Sequence, residues 1–278
     1  MRRRLPVFLC GDLKSVWKSA VKNVKIKYAD TEKFIEMETI MQLSKRLHAV
    51  ASLVTPGYRV ADIGCDHAYT SIYLAEHGIA EHIIAMDVNR GPIERAGENI
   101  VKYGLSDKIE TRRSNGLEKL RPGEADILLI AGMGGALTKQ ILEEGPECFH
   151  QAREVILQPQ SEINKVREML AEHRFLIIKE NMLTEDGKYY MMMKAVPEEL
   201  SDAPELYFLT KREHFYYGRL LLEEKHPVLY SYLNWERELC ENILQLLYKE
   251  ETENALIRSR EMEEKLELIQ SGLEYFRE

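Results

Sequence analysis

The stretch Tyr58–Tyr69, YRVADIGCDHAY, decides the fold class of this chain. Its first part is a short run rich in β-branched and apolar residues, typical of a strand buried on both faces, and it ends at Gly64, just before a helical pattern. A strand that ends in glycine and leads into a helix leaves backbone N–H groups free to meet an anionic or nucleotide ligand. The stretch therefore predicts a strand, a ligand-binding turn and a helix at the start of a parallel sheet.

The alternation of strand and helix patterns continues to residue 196, which predicts a Rossmann-like α/β sheet. Asp186-Gly187 separates two apolar runs and has the composition of a tight hairpin turn, so we expect an antiparallel last strand. Helical patterns begin near Ala68, Gly91, Gly135 and Ser161. The predicted strands are RVADI (59–63), HIIAMDV (82–88), IETRRS (109–114), DILLIAG (126–132) and REVILQP (153–159).

After Pro197 the composition becomes rich in Glu and Leu and the strand patterns stop, which predicts a helical, coiled-coil-like domain over 197–278. Leu239, Ile243 and Leu246 have the spacing of a coiled-coil seam, and a break around 252–254 would let two helices pack antiparallel. A protruding coiled coil and a plain amphipathic pair folded on the first domain both fit. The same spacing returns at Met262, Leu266, Ile269, Leu273 and Phe276.

Residues 1–40 are basic and weakly patterned, whereas MQLSKRLHAVASLV (41–54) reads as the start of an organised helix. Either Met41 or Met37 is the true initiator, or the first forty residues are a genuine, poorly ordered extension. The predicted organisation is an extension over 1–40, a cofactor-binding domain over 41–196 and a helical domain over 197–278.

The charge and composition narrow the functional class. The formal net charge is −8, and 197–278 alone holds ten basic and nineteen acidic side chains, which argues against a broad, non-specific grip on nucleic acid. No apolar run approaches the roughly 20 residues that cross a bilayer, and the N-terminal apolar run is too short for a secretory signal. The four cysteines are scattered, without the spacing of a zinc site or a disulfide framework. We expect a cytoplasmic protein without membrane or metal, more often monomeric than oligomeric.

The turn after the first strand indicates the charge of its ligand. The dinucleotide fingerprint G-x-G-x-x-G is absent, because Asp66 and Tyr69 stand where the later glycines would follow Gly64. A carboxylate at Asp66 repels a pyrophosphate but suits a ligand with a cationic centre. S-adenosyl-L-methionine combines a sulfonium and an ammonium with ribose and adenine, so the turn predicts this cofactor.

Three further strand ends carry small or polar clusters. Asp87 follows Gly64 by 23 positions, near the spacing at which an acid binds ribose hydroxyls, and Asn115 would face an adenine edge. Because the carboxyl ends of parallel strands meet at one edge of a sheet, we expect a single cofactor site there. The predicted cofactor contacts are Asp62, Gly64, Asp66, His67, Tyr69, Asp87, Val88, Asn115, Gly116, Ala131, Gly132 and Met133.

Five motifs, taken in order, resemble the bacterial tRNA (adenine-N1)-methyltransferase family that modifies adenine 22. They are LSKRL (43–47), ADIGCDHAY (61–69), IAGMGGAL (130–137), LQPQ (157–160) and EDGKYY (185–190). The resemblance covers 41–278 and implies a class I methyltransferase fold, S-adenosylmethionine as cofactor and tRNA as substrate. Cys65 stands where family members have serine and Asp87 where glutamate is common, which shortens the reach to ribose. Asn115 stands where many methyltransferases carry an aspartate for the adenine amino group.

Methyl transfer by direct, in-line attack of adenine N1 demands positioning rather than an enzyme nucleophile. The predicted catalytic residues are Asp66 and Gln158. Asp66 would stabilise the charged purine or take a proton from its exocyclic amine, or else hold the cofactor ammonium. Gln158 and Pro159 lie where other base methyltransferases place an amide before proline, and would hold the base edge or only terminate the strand. His67 is expected to line the site, and Tyr69 to stack on a ligand or pack in the core.

Substrate binding is predicted for Lys45, Arg46, Gln158 and Pro159, with Arg112 and Arg113 as further phosphate candidates. Adenine N1 lies on the Watson–Crick edge, so the target must be exposed or flipped out. The helical domain would add a tRNA contact if its cations, Lys211, Arg212, Arg219 and Arg258, gather on one face. The alternatives are a methyltransferase for a small molecule or protein, and a non-catalytic coiled-coil interaction protein with a vestigial cofactor pocket.

Overall fold

A seven-stranded mixed sheet organises the part of the chain that the computed structural model describes, residues 43–250 and 252–277. The strands are β1 Val60–Ile63, β2 Ile83–Asp87, β3 Ile109–Arg113, β4 Ile127–Met133, β5 Glu154–Pro159, β6 Phe175–Glu185 and β7 Lys188–Pro197. Their order is β3-β2-β1-β4-β5-β7-β6; β1 to β5 are parallel, and β7 is antiparallel to both of its neighbours. The predicted Rossmann-like sheet with an antiparallel last strand is confirmed.

Helices cover the sheet and continue after it. They are α1 Lys45–Ala51, α2 Tyr69–Glu76, α3 Arg90–Lys102, α4 Gly135–Glu144, α5 Pro146–Gln151, α6 Ile163–Glu172, α7 Arg212–Tyr217, α8 Arg219–Glu223, α9 Pro227–Leu247 and α10 Glu253–Glu274. The central strand β1 is buried at all four positions because helices pack on both faces, as the apolar run predicts. None of the described helices is long and apolar enough to cross a membrane.

The β6–β7 hairpin forms at the predicted turn. Asp186 and Gly187 adopt φ angles of +50° and +73°, and Glu185 pairs with Lys188, which is the geometry of a two-residue hairpin loop. The two strands extend past the edge of the parallel sheet and carry Met182 and Met191 into a second apolar core. The hairpin therefore joins the sheet to the helices that follow it.

The C-terminal helices α9 and α10 run antiparallel. Lys265 Nζ lies 2.7 Å from Glu236, and the ring of Phe276, after the end of α10, lies 5.2 Å from that of Tyr230 near the start of α9. The predicted inner face of α10 is confirmed, since it packs against the second core with Met262, Leu266, Ile269, Leu273 and Phe276. These side chains therefore pack against other residues of the same chain. The coiled-coil description and the division at residue 197 stay predictions.

The predicted seam of α9 is wrong at Leu239 and Leu246, which are exposed, whereas Ile243 packs against the second core. The buried face comprises Leu229, Leu233, Glu236, Cys240 and Leu244. Glu236 belongs to this face because the hydroxyls of Tyr217 and Tyr232 donate to its carboxylate. A purely apolar pattern misses this register, since a charged side chain occupies one of its buried positions.

A buried ion pair ties α6 and β6 to the start of the C-terminal helices. Arg167 and Glu180 are 0% and 1% exposed, and the Arg167 Nη2 atom lies 2.7 Å from Glu180 Oε1. Arg167 also donates to the carbonyls of Phe215 and Tyr216, while Glu180 accepts from the backbone N–H of Leu220. These bonds satisfy both charges away from water, so the joint depends on both partners.

Candidate active site

The turn between β1 and α2 has a constrained backbone. Asp66 and Ala68 adopt φ angles of +49° and +58°, a left-handed region that is unfavourable for residues other than glycine. Gly64, at φ +79°, lies so close to the Met133 methyl group that a Cβ atom would overlap it. Such strain concentrates where a ligand approaches the chain.

This turn opens into a cavity of about 230 Å³, which we call the turn cavity. Eight of the predicted site residues line it: Arg46, Asp62, Gly64, Asp66, His67, Tyr69, Ala131 and Gly132. Leu47, Cys65, Thr70 and Gln160 complete the lining. The fold thus gathers predicted residues from α1, from the β1–α2 turn and from the end of β4.

Asp62 is the buried carboxylate of the turn cavity. Its side chain accepts a hydrogen bond of 2.6 Å from Ser71, and the residue is 4% exposed. Burial raises the pKa of Asp62 to about 6, against a smaller opposing effect of the Ser71 hydrogen bond. Asp62 therefore holds a negative charge at neutral pH that a cationic ligand would stabilise.

Asp66 is the exposed carboxylate at the cavity mouth, with a side chain that is 65% exposed. His67 Nε2 and Arg95 Nη2 each lie 3.7 Å from its Oδ1 atom, too far for direct hydrogen bonds. The His67 ring stacks on Tyr69, with centroids 5.3 Å apart. Because Tyr69 is 41% exposed, it presents a ring at the mouth instead of packing in the core.

Cys65 places a thiol in the lining of the turn cavity. Burial, together with the nearby carboxylates of Asp62, Asp87 and Asp66, raises the pKa of the Cys65 thiol well above its ordinary value. The thiol consequently stays protonated near neutral pH and is a poor nucleophile.

The ends of β2 and β3 lie beside the turn cavity at the same edge of the sheet. Asp87 directly follows Met86, and Met86 pairs with Ile63 of β1. The Oδ1 atom of Asp87 accepts a 2.8 Å hydrogen bond from the Asn89 N–H. Val88 is exposed. The Asn115 side-chain amide donates to Glu118, so part of its hydrogen-bonding capacity is used locally. Gly116 follows in the same turn.

The end of β4 is shaped by a bulge and a close backbone contact. Ala131 pairs with Gln158 and Met133 with Pro159, which leaves Gly132 as the extra residue. At Gly135 a Cβ atom would overlap the Ser161 carbonyl, which accepts a hydrogen bond from the Gly135 N–H. The AGMGG run therefore brings α4 against the end of β5.

Arg46 and Gln158 form one unit. The Gln158 side chain is fully buried, and its Oε1 atom accepts a 2.8 Å hydrogen bond from Arg46 Nη1. The Arg46 guanidinium also lies over the Tyr190 ring, 5.6 Å from its centroid. The Gln158 amide oxygen is thus engaged by Arg46, which lines the turn cavity, and the predicted contact between Gln158 and a base stays a prediction.

The remaining substrate candidates are distributed unevenly. The Lys45 backbone N–H donates to Glu185 and its side chain is exposed, whereas Pro159 is buried at the end of β5. Arg112 was predicted as a phosphate candidate, but its guanidinium forms ion pairs with both Glu110 and Glu124. Arg113 donates to the Val88 carbonyl.

The cations expected to bind tRNA from the helical region each lie near an acid. Lys211 is 4.0 Å from Glu213, Arg212 is 3.7 Å from Glu264, Arg219 is 2.7 Å from Glu223 and Arg258 is 2.6 Å from Glu261. Ion pairs near the surface are weak. The basic face formed by these cations or their neighbours stays a prediction.

Gln160, which lines the turn cavity, and Ser71, which donates to Asp62, were not predicted as site residues. Gln160 is the last residue of the LQPQ motif and follows the predicted substrate contact Pro159, so the motif could have indicated it. Ser71 lies on α2, and nothing local indicates that it faces Asp62. Among residues 43–250 and 252–277, no group of three or more His, Cys, Asp or Glu side chains is arranged to hold a metal ion.

Comparisons with known proteins agree with this geometry. A family model described as a methyltransferase domain matches residues 43–193. The tRNA (adenine(22)-N1)-methyltransferase of Bacillus subtilis strain 168 is 34% identical over 241 residues, which cover 84% of this chain and 98% of that protein.

Solved structures give the same result. The crystal structure of the B. subtilis m1A22 tRNA methyltransferase TrmK has a TM-score of 0.75 at 33% identity, covering 84% of this chain and 99% of that one. The structure of M. capricolum TrmK in complex with S-adenosyl-homocysteine, the natural cofactor product, has a TM-score of 0.73 at 27% identity, covering 85% and 100%. The likeness extends over the sheet and the C-terminal helices.

Proposed function

This chain belongs to the tRNA (adenine(22)-N1)-methyltransferase family, and from that premise we propose how its own residues methylate N1 of adenine 22 in tRNA. The enzyme uses S-adenosylmethionine, as its homologues do. The observation that carries the assignment of roles is the turn cavity, which is lined by both Asp62 and Asp66 and by the end of β4.

The donors in the turn cavity fit S-adenosylmethionine. Two carboxylates at the end of β1 suit a ligand with cationic centres, and Asp87 at the end of β2 lies where an acid meets ribose hydroxyls. The bound cofactor supplies an electrophilic methyl group. We assign Asp62 to its cationic end and Asp87 to its ribose, and we keep Asp66, at the cavity mouth, for the base. Val88, Asn115, Gly116 and Met133 stay proposed contacts at the neighbouring strand ends.

A direct, in-line transfer fits the chemistry of this cavity. A covalent route would need an ionised nucleophile, and the Cys65 thiol is held neutral by burial and by negative neighbours. The protein's part is then to orient the base and to stabilise the positive charge that develops on the purine. Asp66 is suited to the second task because its carboxylate is exposed at the mouth.

We assign Arg46 to the tRNA backbone near the target. Its guanidinium is held by Gln158 and by the Tyr190 ring, so a phosphate meets a cation that is already oriented. Lys45 adds a second, exposed ammonium at the start of α1. Pro159 and Gln158 support this arrangement from the end of β5.

We place the enzyme in the cytoplasm, where tRNA is modified in bacteria, and propose that it acts as a monomer. The monomer is supported by the seam between α9 and α10, whose apolar side chains pack within one chain. Light scattering of the purified protein measures this directly.

The test of the assignment is methyl transfer from labelled S-adenosylmethionine to unmodified tRNA transcripts. Wild-type enzyme should label a transcript with adenine 22 but not one in which guanine replaces that base. Asp66→Ala should lower the turnover rate about 10²-fold or more while cofactor still binds, as expected for loss of an acid–base or charge-stabilising group. Asp107→Ala, at an exposed site outside the cavity, is the matched control.

The outcomes separate the roles. If Asp66→Ala recovers its rate at saturating cofactor, Asp66 holds the cofactor ammonium and does not act on the purine. If the wild type binds cofactor but labels no transcript, the substrate assignment fails while the cofactor site stands.

A further inference from the structure

A second cavity, of about 340 Å³, opens between the β6–β7 hairpin and α9. We call it the aromatic cavity, because Tyr189, Tyr190 and Tyr232 line it together with Lys188, Pro159 and Gln160. The Tyr189 and Tyr232 rings meet edge to face at 5.1 Å. Trp235, which is 50% exposed, lies 5.9 Å from Tyr189 and extends the aromatic surface towards solvent.

The aromatic cavity lies next to the turn cavity. Gln160 lines both of them. Arg46 lines the turn cavity and lies over Tyr190, which lines the aromatic cavity. The two cavities are therefore close enough for a target base in one and an adjacent nucleotide in the other.

The chemistry of the aromatic cavity matches a nucleobase. Sites for single-stranded nucleic acid combine aromatic rings, on which bases stack, with cations that follow the backbone. Lys188 is exposed at the cavity, and Arg46 lies behind Tyr190. A protein partner is less favoured because the rings border a cavity with a cation and an amide and do not form a flat apolar face.

We propose that the aromatic cavity binds an unstacked base of the tRNA next to adenine 22, an inference that rests on the proposed function. The helical region would contribute to this contact through the rings of Tyr232 and Trp235, which lie on α9 with their centroids 5.8 Å apart. The base must be displaced from its helix first, as the target itself is.

The test compares three variants of the full-length enzyme. Tyr189→Leu removes the ring and keeps apolar bulk, Tyr189→Phe keeps the ring, and Tyr230→Leu removes a half-exposed ring of α9 that lies outside the aromatic cavity. Tyr189→Leu should raise the KM for tRNA about 5- to 150-fold, the loss that corresponds to one base–aromatic stack. Its kcat at saturating tRNA and its affinity for S-adenosylmethionine should stay at wild-type values, since only uniform binding is lost.

Tyr189→Phe and Tyr230→Leu should behave as wild type. The proposal is overturned if Tyr189→Leu keeps the wild-type KM, or if Tyr189→Phe is equally impaired. It is also overturned if Tyr189→Leu lowers kcat and leaves KM unchanged, since the ring would then act on the target base. Absence of methyl transfer by the wild type is a different result and removes the proposed function itself.

A second measurement needs no change in the cavity. Saturating tRNA should quench the fluorescence of Trp235 in the wild-type enzyme, because a base stacked on Tyr189 and Tyr232 lies within the same ring cluster. Trp235→Phe leaves only Trp17 and assigns the signal. A wild-type enzyme that methylates tRNA without any quenching of Trp235 overturns the proposal, even if Tyr189→Leu does not fold.

Discussion

Replacing Asp62 by asparagine should stabilise the enzyme at neutral pH and weaken its hold on the cofactor. Asp62 is 4% exposed, and burial raises its pKa from 3.8 to about 6. One pKa unit corresponds to about 1.36 kcal/mol, so keeping this carboxylate ionised in the folded protein costs about 3 kcal/mol. Asparagine has nearly the same shape, retains a partner for Ser71 and carries no charge.

The sign of the effect follows from the direction of the shift. Since the folded state binds the proton of Asp62 more tightly than the unfolded chain, the wild-type contribution to stability is complete below about pH 4 and is lost as pH rises to about 6. The Asp62→Asn enzyme has no such titration. Its free energy of unfolding should exceed that of the wild type by an amount that grows from near zero at pH 4 to about 3 kcal/mol above pH 6.

Denaturant unfolding between pH 4 and pH 8 measures this difference, with Asp107→Asn as the control at an exposed carboxylate. Calorimetric titration of S-adenosylmethionine tests the functional half. Wild-type affinity should rise from pH 5 to pH 7 as Asp62 ionises, and Asp62→Asn should bind weakly at every pH. A stability difference that stays constant across the range would refute the buried, titrating carboxylate.

Two further predictions concern buried polar contacts. Gln158→Leu should release Arg46 and raise the KM for tRNA while cofactor affinity stays unchanged. Gln158→Glu keeps an acceptor for Arg46, so its KM for tRNA should stay near the wild-type value. Steady-state kinetics measure both, and an equal rise in KM in the two variants contradicts the positioning role. Arg167→Met should lower the free energy of unfolding by about 3–5 kcal/mol because Glu180 is left charged and buried. Adding Glu180→Leu should recover most of this in denaturant melts, and a double variant as unstable as the single one would contradict the explanation.

The strand ends could be predicted from the sequence because their signals are local. Each predicted parallel strand lies within one residue of its observed bounds at both ends, from Val60–Ile63 to Glu154–Pro159. A strand pattern, a glycine or an acid at its end and a following helix are properties of neighbouring residues. The carboxyl ends of parallel strands then share one edge of the sheet, so the cofactor side followed without tertiary information.

The errors arose where burial or pairing depends on distant residues. Glu236 is a charged residue within the buried face of α9, where Tyr217 and Tyr232 donate hydrogen bonds to its carboxylate. Arg112 looked like a free phosphate ligand, although Glu110 and Glu124 neutralise it. The charge and polarity of a single residue do not reveal whether a partner is present.

The sequence by itself determined the Rossmann-like sheet, the hairpin and the preference of the β1 turn for a cationic ligand, because strand patterns and the charge of Asp66 are local facts. Only the tertiary structure decided which side chains line the turn cavity. It buried Gln158 behind Arg46 and brought Tyr189 of β7 against Tyr232 of α9. Such contacts join segments far apart in the chain, and they form only when the hairpin and the helices pack together.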